Sequence, residues 1–498
     1  MVFVFNLVCI ILNIFYLEKT LHVFQRKDYK ILRYFHFFTK KHIFFMIFCV
    51  FFIVFQIFFK ILCLNIFINL SILTIQSFTI CNLIESNKTP LKYTPRLIRL
   101  YSISALFLFI CLFTPFPVGL SSLLVYIIPP FSNAINLYDK IKNKKFINNA
   151  SSKIKNSQTK IIAITGSNGK TSVKNILLKM LSSTYKVLAT PESFNTPIGI
   201  AKFINESDLT NVKFLILEYG ARQQEDIKKL CKTFGAEYGI ITTIAPQHLE
   251  TFKNINTIKN TKNELAEYLN KNLCIYNLDN QHCKELFLNK QGQKFGISIL
   301  EDNPYSASNI IIKNFKTHFV LKLNKNKYEC YTNLLGSHNI INIVLASALA
   351  HRLGVEDDKI IKSIKELNQV PHRLELIKTH INILDDTYNC SLASAEEALK
   401  VLNSIDGKKM VATPGIIEAG KQESSINFKL GTLCSFCDYV VIIGNQNKTA
   451  IYNGLKHMNY PDKKICLAKN LDEAKQYFHL LSFNDNLLLL NDLPDEYN

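Results

Sequence analysis

Apolar residues are bunched into three long runs in the first third of the chain, at 1–17, 43–84 and 100–131, and into short runs thereafter. A bilayer core takes about 20 residues of helix. Residues 43–84 hold Lys60 as their only charge, so this stretch predicts two helices turning near Lys60. Residues 100–131 are interrupted at Thr114, Pro115, Phe116, Pro117, Val118 and Gly119, where a hairpin between two short crossings would turn; one kinked span or a surface-lying pair is the alternative. No basic segment precedes residues 1–17, which argues for a first span and against a cleaved signal peptide. Residues 1–145 thus predict a multi-span membrane domain of five helices, and the small, polar residues 146–159 predict a linker.

From residue 160 the period changes. Ile161, Ile162, Ala163 and Ile164 read as a buried parallel strand, and after a turn at residues 166–169 the apolar positions Val173, Ile176, Leu177 and Met180 fall at helical spacing from Lys170. Further strands are predicted at 186–190, 214–217 and 238–244, and a helix at 257–269. Residues 310–335 alternate apolar and polar positions and read as a small antiparallel meander turning at 324–326, followed by helices at 340–353 and 357–367. Strands at 381–384, 409–413, 439–443 and 487–490 then alternate with helices at 393–402, 426–434 and 471–478. The predicted fold class is α/β: an N-terminal α-helical membrane domain (1–145), a central P-loop ATPase-like α/β domain (160–372) and a C-terminal Rossmann-like α/β domain (373–498).

Charge adds an orientation. The chain carries +19 with 48% apolar residues and 36 phenylalanines, a mixture that points to spans with basic flanks before nucleic acid. Lys19, Arg26, Lys27, Lys30, Arg33, Lys40 and Lys41 follow the first run, and Lys88, Lys92, Arg96 and Arg99 follow the third predicted helix. Both loops are expected in the cytoplasm, the N-terminus outside, and the segment after Lys140, Lys142, Lys144 and Lys145 inside again. Membrane lipid is therefore an expected partner, and nucleic acid is not. The 13 cysteines form no even framework, which suits a reducing compartment. Cys434 and Cys437 make a C-x-x-C with no second pair nearby, so they read as helix-face residues and not as zinc ligands.

The chemistry begins at the strand-turn-helix of residues 160–183. Glycines at a helix start point backbone N–H groups and the positive helix end at one place, which binds phosphate. Gly166 and Gly169 allow close approach, Lys170 reaches the terminal phosphates, and the Thr171 hydroxyl suits Mg²⁺. The first glycine of the general G-x-x-x-x-G-K-[ST] pattern would fall at Ile164 and is missing. Glu218 ends a predicted parallel strand, the usual place for a carboxylate that holds the metal of a nucleotide site. His248 follows another strand end and could take a second metal, although a lone histidine is more often structural. Lys262 lies on the helix at 257–269.

Taken in order, Ile164 to Ser172 (ITGSNGKTS), Phe194-Asn195-Thr196, Leu217-Glu218-Tyr219-Gly220-Ala221, His248-Leu249-Glu250 and Asn277-Leu278-Asp279-Asn280 resemble the motifs of the Mur ligase family, whose phosphate loop also lacks that first glycine. Gly336-Ser337-His338-Asn339 with Asn342, Pro371-His372-Arg373-Leu374 and Asp385-Asp386-Thr387-Tyr388-Asn389 continue the likeness, which covers about residues 160–498. The resemblance implies ATP-dependent amide ligation through an acyl phosphate, in peptidoglycan precursor synthesis. Within the family it is nearest to the activity that joins D-alanyl-D-alanine to UDP-N-acetylmuramoyl-tripeptide. It implies ATP bound by Gly166, Ser167, Asn168, Gly169, Lys170, Thr171 and Ser172, with Asn277, Asn339 and Asn342 at the adenine end. Arg373 and Asp386 would close over the nucleotide, Asp386 towards the ribose. It also implies two Mg²⁺ ions, the first on Thr171 and Glu218 and the second on His248, with Lys262 in the place of the lysine that the family carbamylates. Lys170, Lys262 and His248 would be the catalytic set. The expected setting is a bacterial inner membrane, multi-pass, with the catalytic domains in the cytoplasm; association with other cell-wall synthesis proteins stays open.

Two departures stand against that pattern. The domain that usually grips the UDP moiety is replaced by the apolar segment, and Thr413-Pro414-Gly415-Ile416-Ile417-Glu418 and Asn491-Asp492-Leu493-Pro494-Asp495 differ from the expected Gly-Asp-Met-x-Glu and Lys-Gly-Ser-Arg runs. Two alternatives remain: a ligase of the same type for another amino acid or a lipid-linked muropeptide, and a membrane scaffold that binds nucleotide without turnover. A second-metal apparatus at Glu218, His248 and Lys262 speaks against the scaffold. A reporter fused after Lys145 is expected to signal from the cytoplasmic side; activity outside the cell overturns the five-span topology.

Overall fold

The computed structural model describes residues 14, 17, 18, 21–25, 93–111, 124–191, 194–246, 249–388, 391–417 and 422–491. The chain divides into two compact units, residues 1–144 and 145–498.

In the first unit, α1 (Pro95–Cys111) buries Leu97, Leu100 and Ser104 and leaves Ile98, Leu106, Phe109 and Ile110 exposed. Arg99 on α1 donates to Asp139 Oδ1 at 2.7 Å on α2 (Leu124–Lys155). Among the described residues no helix is long and apolar enough to cross a membrane. The two short crossings expected within 100–131 are not met by these helices. α1 has 17 residues and takes in Arg96 and Arg99, and α2 continues past the apolar run into the lysines at 140–145. The spans expected in 43–84, almost all of 1–17 and the break at 114–119 lie outside the described residues.

The second unit begins inside α2. Residues 146–155, read above as linker, are its last turns. Ala150 and Ile154 are buried there, and Phe146 and Ile147 pack on the same cluster; these four positions share one helical face, which is why a polar stretch folds as a docked helix. Lys153 adds hydrogen bonds to the carbonyls of Asn205 and Ser207 at 3.0 and 2.6 Å.

A six-stranded parallel sheet follows, in the order β2-β3-β1-β4-β5-β6. Its strands are β1 (Lys160–Thr165), β2 (Val187–Ala189), β3 (Phe214–Glu218), β4 (Tyr238–Ile241), β5 (Cys274–Asn277) and β6 (Lys294–Ile297). β4 stops three residues short of the expected end. Both faces are covered, so the strands are apolar on alternate sides. Ile162, Ile164 and Ile216 meet α3 (Lys170–Ser182) and α9 (Ser337–Arg352), while Ile161, Ala163, Leu215 and Leu217 belong to the opposite core. That opposite face is covered by α4 (Pro197–Glu206), α5 (Asp226–Phe234) and α7 (Ile255–Leu269); the short α6 (Leu249–Phe252) and α8 (Gln281–Asn289) complete the layer. The meander is larger than its sequence pattern suggested. It has three antiparallel strands, β7 (Tyr305–Lys313), β8 (Lys316–Leu323) and β9 (Asn326–Thr332), and α10 (Asp357–Lys365) packs beside it.

The C-terminal sheet runs β10-β11-β15-β12-β13-β14. Its strands are β10 (Glu375–Lys378), β11 (Asn382–Asp386), β12 (Lys409–Thr413), β13 (Tyr439–Ile443), β14 (Ile465–Ala468) and β15 (Asn486–Leu490), all parallel except β10. Val411, Val440 and Leu488 face one core and Met410, Ala412 and Val441 the other, the two-sided burial of a Rossmann-like sheet. Helices α11 (Leu392–Asn403), α12 (Glu423–Leu433), α13 (Lys448–His457) and α14 (Leu471–Lys475) cover it; α14 ends three residues earlier than expected. Cys434 and Cys437 are buried free thiols, and desolvation pushes Cys434 up to about 12, far from a zinc-binding thiolate.

The docking of residues 146–155 is open to test. Ala150→Asp puts a carboxylate into an apolar contact and should cost about 3 kcal/mol of stability, whereas Ser152→Glu on the exposed side should leave the melting temperature unchanged. Equal melting temperatures for the two variants would mean that the segment is a linker after all.

Candidate active site

The order of the first sheet puts β1 between β3 and β4, and the chain reverses direction of travel across the sheet there, so a crevice opens outside the carboxyl ends of these strands. The register Ile164↔Glu218 sets the end of β3 beside the loop that leaves β1. In that loop Gly166 has φ 149° and Gly169 has φ 81°. A Cβ at Gly166 would lie 2.0 Å from Thr242 Oγ1, and one at Gly169 would lie 2.6 Å from Asn342 Oδ1, so both positions require glycine on space as well as on backbone conformation. The loop is braced by Ser167, whose hydroxyl donates to the Ala245 carbonyl at 2.9 Å, and by Thr242, which donates to the Asn168 carbonyl at 2.5 Å. Lys170 donates to the Gly166 and Ser167 carbonyls, both at 2.9 Å, so its ammonium lies over the loop.

Glu218 is buried and fully engaged. Its Oε2 accepts from the Thr171 hydroxyl at 2.8 Å and lies 3.8 Å from the Lys174 ammonium, and its Oε1 accepts from the Asn195 amide at 3.1 Å. Lys174 is itself 1% exposed, so the pair forms a buried counter-charge behind the phosphate loop. Lys262 is 4% exposed on α7. Burial first, and then the Lys170 charge, lower its ammonium to about 7, against the opposing pull of Asp226, Glu218 and Glu264. Lys170 is lowered too, by desolvation against the opposing Glu218 charge, with Arg373 adding to the fall.

A cleft of about 1220 Å³ joins these groups to the C-terminal domain. Ser167, Asn168, Gly169, Lys170, Thr171, Glu218 and Lys262 line it from the first sheet, and Arg373 lines it from the other side, its guanidinium 4.3 Å from the Tyr388 ring centroid. Leu392, Ile416, Ile417 and Ile426 make an apolar stretch of the same wall. The remaining expected residues stand elsewhere. Gly166, within the loop, and Ser172, buried on α3, are absent from the lining. Asn342 touches the loop at Gly169; Asn339 donates to the Leu335 carbonyl at 2.8 Å; and Asn277 holds the Asp279 N–H at 3.1 Å. Asp386 is absent from the cleft lining. It accepts the Leu374 N–H at 3.1 Å, and burial raises its carboxyl to about 6, so it braces the backbone beside Arg373. His248 lies outside the described residues. Sequence reasoning gave no role to Asn195 or Lys174, although Asn195 sits in a quoted motif and Lys174 falls four residues after Lys170, on the same helical face.

Residues 164–350 match the family model for the Mur ligase middle domain. That segment is therefore similar to Mur ligase middle domains. The chain is 32% identical to the UDP-N-acetylmuramoyl-tripeptide–D-alanyl-D-alanine ligase of Buchnera aphidicola over 53% of this chain and 58% of that protein. It is 26% identical to the enzyme of the same name from Bacillus subtilis over 64% and 71%. The matched stretch thus spans between about half and three-quarters of these curated relatives. The fold is similar to MurF from Acinetobacter baumannii (TM-score 0.63, 23% identity, 70% of this chain and 78% of that one). It is also similar to the MurF ligase of Thermotoga maritima in complex with ADP (TM-score 0.62, 20% identity, 70% and 80%).

At the end of the first sheet, the Thr171 hydroxyl and the Glu218 carboxylate are hard oxygen donors that already converge, which fits Mg²⁺. Lys262 as an ammonium is no ligand; as a carbamate it would offer oxygens, and an amine lowered to about 7 has the free base that adds CO₂. If Asn195 orients Glu218 towards a metal, Asn195→Ala should raise the Mg²⁺ concentration needed for half-maximal ATP binding by about 10-fold, the usual effect of losing a partner of a metal ligand. An unaltered Mg²⁺ dependence would show the contact to be packing only.

Proposed function

We propose that the chain is an ATP-dependent, ADP-forming ligase that joins D-alanyl-D-alanine to UDP-N-acetylmuramoyl-tripeptide by way of an acyl phosphate, in the making of peptidoglycan precursors. The observation that carries this reading is the cleft in which the phosphate loop, Glu218 and Lys262 of one domain face Arg373 and an apolar wall of the other. A carboxylate is a poor electrophile. One of its oxygens displaces ADP from the γ-phosphorus, and the amine of the second substrate then attacks the acyl carbon and expels phosphate.

Both partners of the first step are anions, so the residues must neutralise charge and align the groups. The loop N–H groups and Lys170 hold the phosphates, and Arg373 brings a second cation from the C-terminal domain. Mg²⁺ held by Thr171 and Glu218 would spread the negative charge of the phosphates. Carbamylation of Lys262, in which the free amine attacks CO₂ and loses a proton, would turn a buried cation into an anion able to help hold a second ion with His248. Leu392, Ile416, Ile417 and Ile426 favour an amine substrate with small apolar side chains over a charged one. D-Glutamate is the main rival, because curated D-glutamate ligases, such as that of Rickettsia bellii at 29% identity, also match the chain.

The same reading places the enzyme at the cytoplasmic face of a bacterial inner membrane. Its support is the apolar runs 1–17 and 43–84, the basic loops beside them, and the exposed Ile98, Leu106, Phe109 and Ile110 of α1.

Detergent-purified protein given ATP, Mg²⁺ and UDP-N-acetylmuramoyl-tripeptide should release phosphate in proportion to added D-alanyl-D-alanine. Release that ignores the dipeptide, or that answers to D-glutamate, overturns the proposed substrate. Lys262→Ala should lose roughly 100-fold or more in turnover, a loss on the scale of removing one transition-state stabilising group. Added bicarbonate should stimulate the wild type increasingly as pH rises through about 7, where the Lys262 amine loses its proton, and should not stimulate the variant. Full activity of Lys262→Ala without bicarbonate removes the carbamate from the mechanism.

A further inference from the structure

Where the chain passes from the Mur ligase domain to the C-terminal sheet, three potential metal-binding side chains converge away from the phosphate loop. β10 and β11 are antiparallel, and Glu375 lies directly opposite Asp385. Two carboxylates in that relation repel each other, which favours a hydrogen-bond donor or a cation beside them. His372 occupies that place, with Nδ1 2.8 Å from Asp385 Oδ2 and its backbone N–H donating to Glu375 Oε2 at 3.1 Å. The available ligand atoms of His372, Glu375 and Asp385 all lie within 4.8 Å of one another. Thr387 holds Asp385 from behind, its N–H and hydroxyl donating to Oδ1 at 3.1 and 2.7 Å, so Oδ2 is left turned towards the imidazole.

We propose that His372, Glu375 and Asp385 form a binding site for a divalent transition metal ion, Zn²⁺ by preference, at the junction of the two catalytic domains. An imidazole nitrogen and carboxylate oxygens are donor types that Zn²⁺ accepts, and three of them leave an open fourth position. A tetrahedral ion about 2.0 Å from each donor holds the donors about 3.3 Å apart. The imidazole and Asp385 therefore need to separate by only about half an ångström from their hydrogen-bonded distance. Mg²⁺ is disfavoured, because it demands near-octahedral geometry and gives up its waters reluctantly, whereas three donors this close suit a lower coordination number. The ion would replace a hydrogen bond by coordinate bonds among three backbone segments: the turn at His372, the start of β10 and the end of β11. Arg373, which reaches into the cleft, stands between two of these ligands in sequence. Its backbone neighbours His372 and Leu374 have φ 61° and 54°, so the ion would fix the turn that presents the guanidinium.

The test is metal binding, read without substrates, so it stands or falls separately from the ligase assay. Full-length detergent-purified protein, stripped with a chelator and kept in millimolar Mg²⁺, is titrated with Zn²⁺ by calorimetry and with Co²⁺ by visible absorption. One ion per chain with a micromolar dissociation constant, and a Co²⁺ spectrum of tetrahedral type, is expected. His372→Ala should abolish this binding and Glu375→Gln should weaken it at least 10-fold, while Glu218→Gln should leave it unchanged. Glu375 is partly exposed on an edge strand, so its variant keeps the test valid should His372→Ala misfold. Absence of binding at 100 µM Zn²⁺, binding that survives both variants, or binding lost with Glu218→Gln each overturns the proposal. In those cases the three residues are a hydrogen-bonded brace, or the ion sits at the nucleotide site.

Discussion

The contact between Glu218 and its neighbours imposes a cost that the surrounding structure must offset. A carboxylate with almost no exposure is expensive to bury unless its oxygens are satisfied and its charge is balanced. Here one oxygen takes the Thr171 hydroxyl and the other the Asn195 amide, while Lys174 supplies the balancing charge from the same helix that begins with Lys170. Glu218 and these partners belong to three different segments. Thr171 and Lys174 are on the first turns of α3, Asn195 precedes α4, and Glu218 ends β3. The carboxylate can sit there only if all three pack correctly. The parallel register of β1 with β3 ensures this, since Ile164 opposite Glu218 is the last pair between the two strands, one residue before β1 ends.

The loop depends on the same register from the other side. Thr165 pairs with Ile241 on β4, and the residues just beyond, Thr242 and Ala245, are the ones that brace Asn168 and Ser167. The glycines are thus held between β4's exit loop and Asn342 on α9, a helix buried on nearly every side between the sheet and the meander. The meander contributes no cleft lining, yet it encloses the helix that backs the loop. The cores of the two sheet faces are large and apolar, and they can absorb the unfavourable electrostatics concentrated at one edge.

Much of this was legible because it is written in local periods. The change from four consecutive apolar residues to a 3.6 spacing at Lys170 marks a strand giving way to a helix, and the strands at 409–413 and 439–443 are bounded as their apolar runs suggest. What was not legible depends on tertiary placement. Lys174 is one lysine among many in a basic chain, and only the closure of β3 against α3 buries it. Asp386 is expected from its motif to face the nucleotide; that one of its oxygens also accepts the Leu374 N–H follows only from the fold of the turn. Residues 146–155 were misjudged for another reason. Asn, Ser and Lys dominate their composition, but Phe146, Ile147, Ala150 and Ile154 fall at helical intervals, a stripe too sparse to outweigh the polar average. The longer reach of the meander, from Tyr305, was hidden by a register shift between Ser308 and Ile311 that breaks the strict alternation.

The cleft as a whole carries more positive than negative side chains near the phosphate loop. Lys170, Lys262 and Arg373 face Glu218 and Asp226 across it; burial is the main reason that Lys170 and Lys262 are lowered, with Arg373 adding to the fall of Lys170 and Lys170 to that of Lys262. An enclosed surplus of positive charge is a debit in the unliganded fold and an asset once a polyphosphate enters, because fixed cations need no reorganisation to meet it. The same argument explains why the cations come from two domains. Were Arg373 on the first sheet, its repulsion with Lys170 would be permanent. Carried on a turn at the domain junction, its guanidinium packs instead over the Tyr388 ring. The electrostatics of the site therefore favour a polyanion between the cations of the two sheets, and the residues that shape the turn around Arg373 set that charge as much as those of the loop.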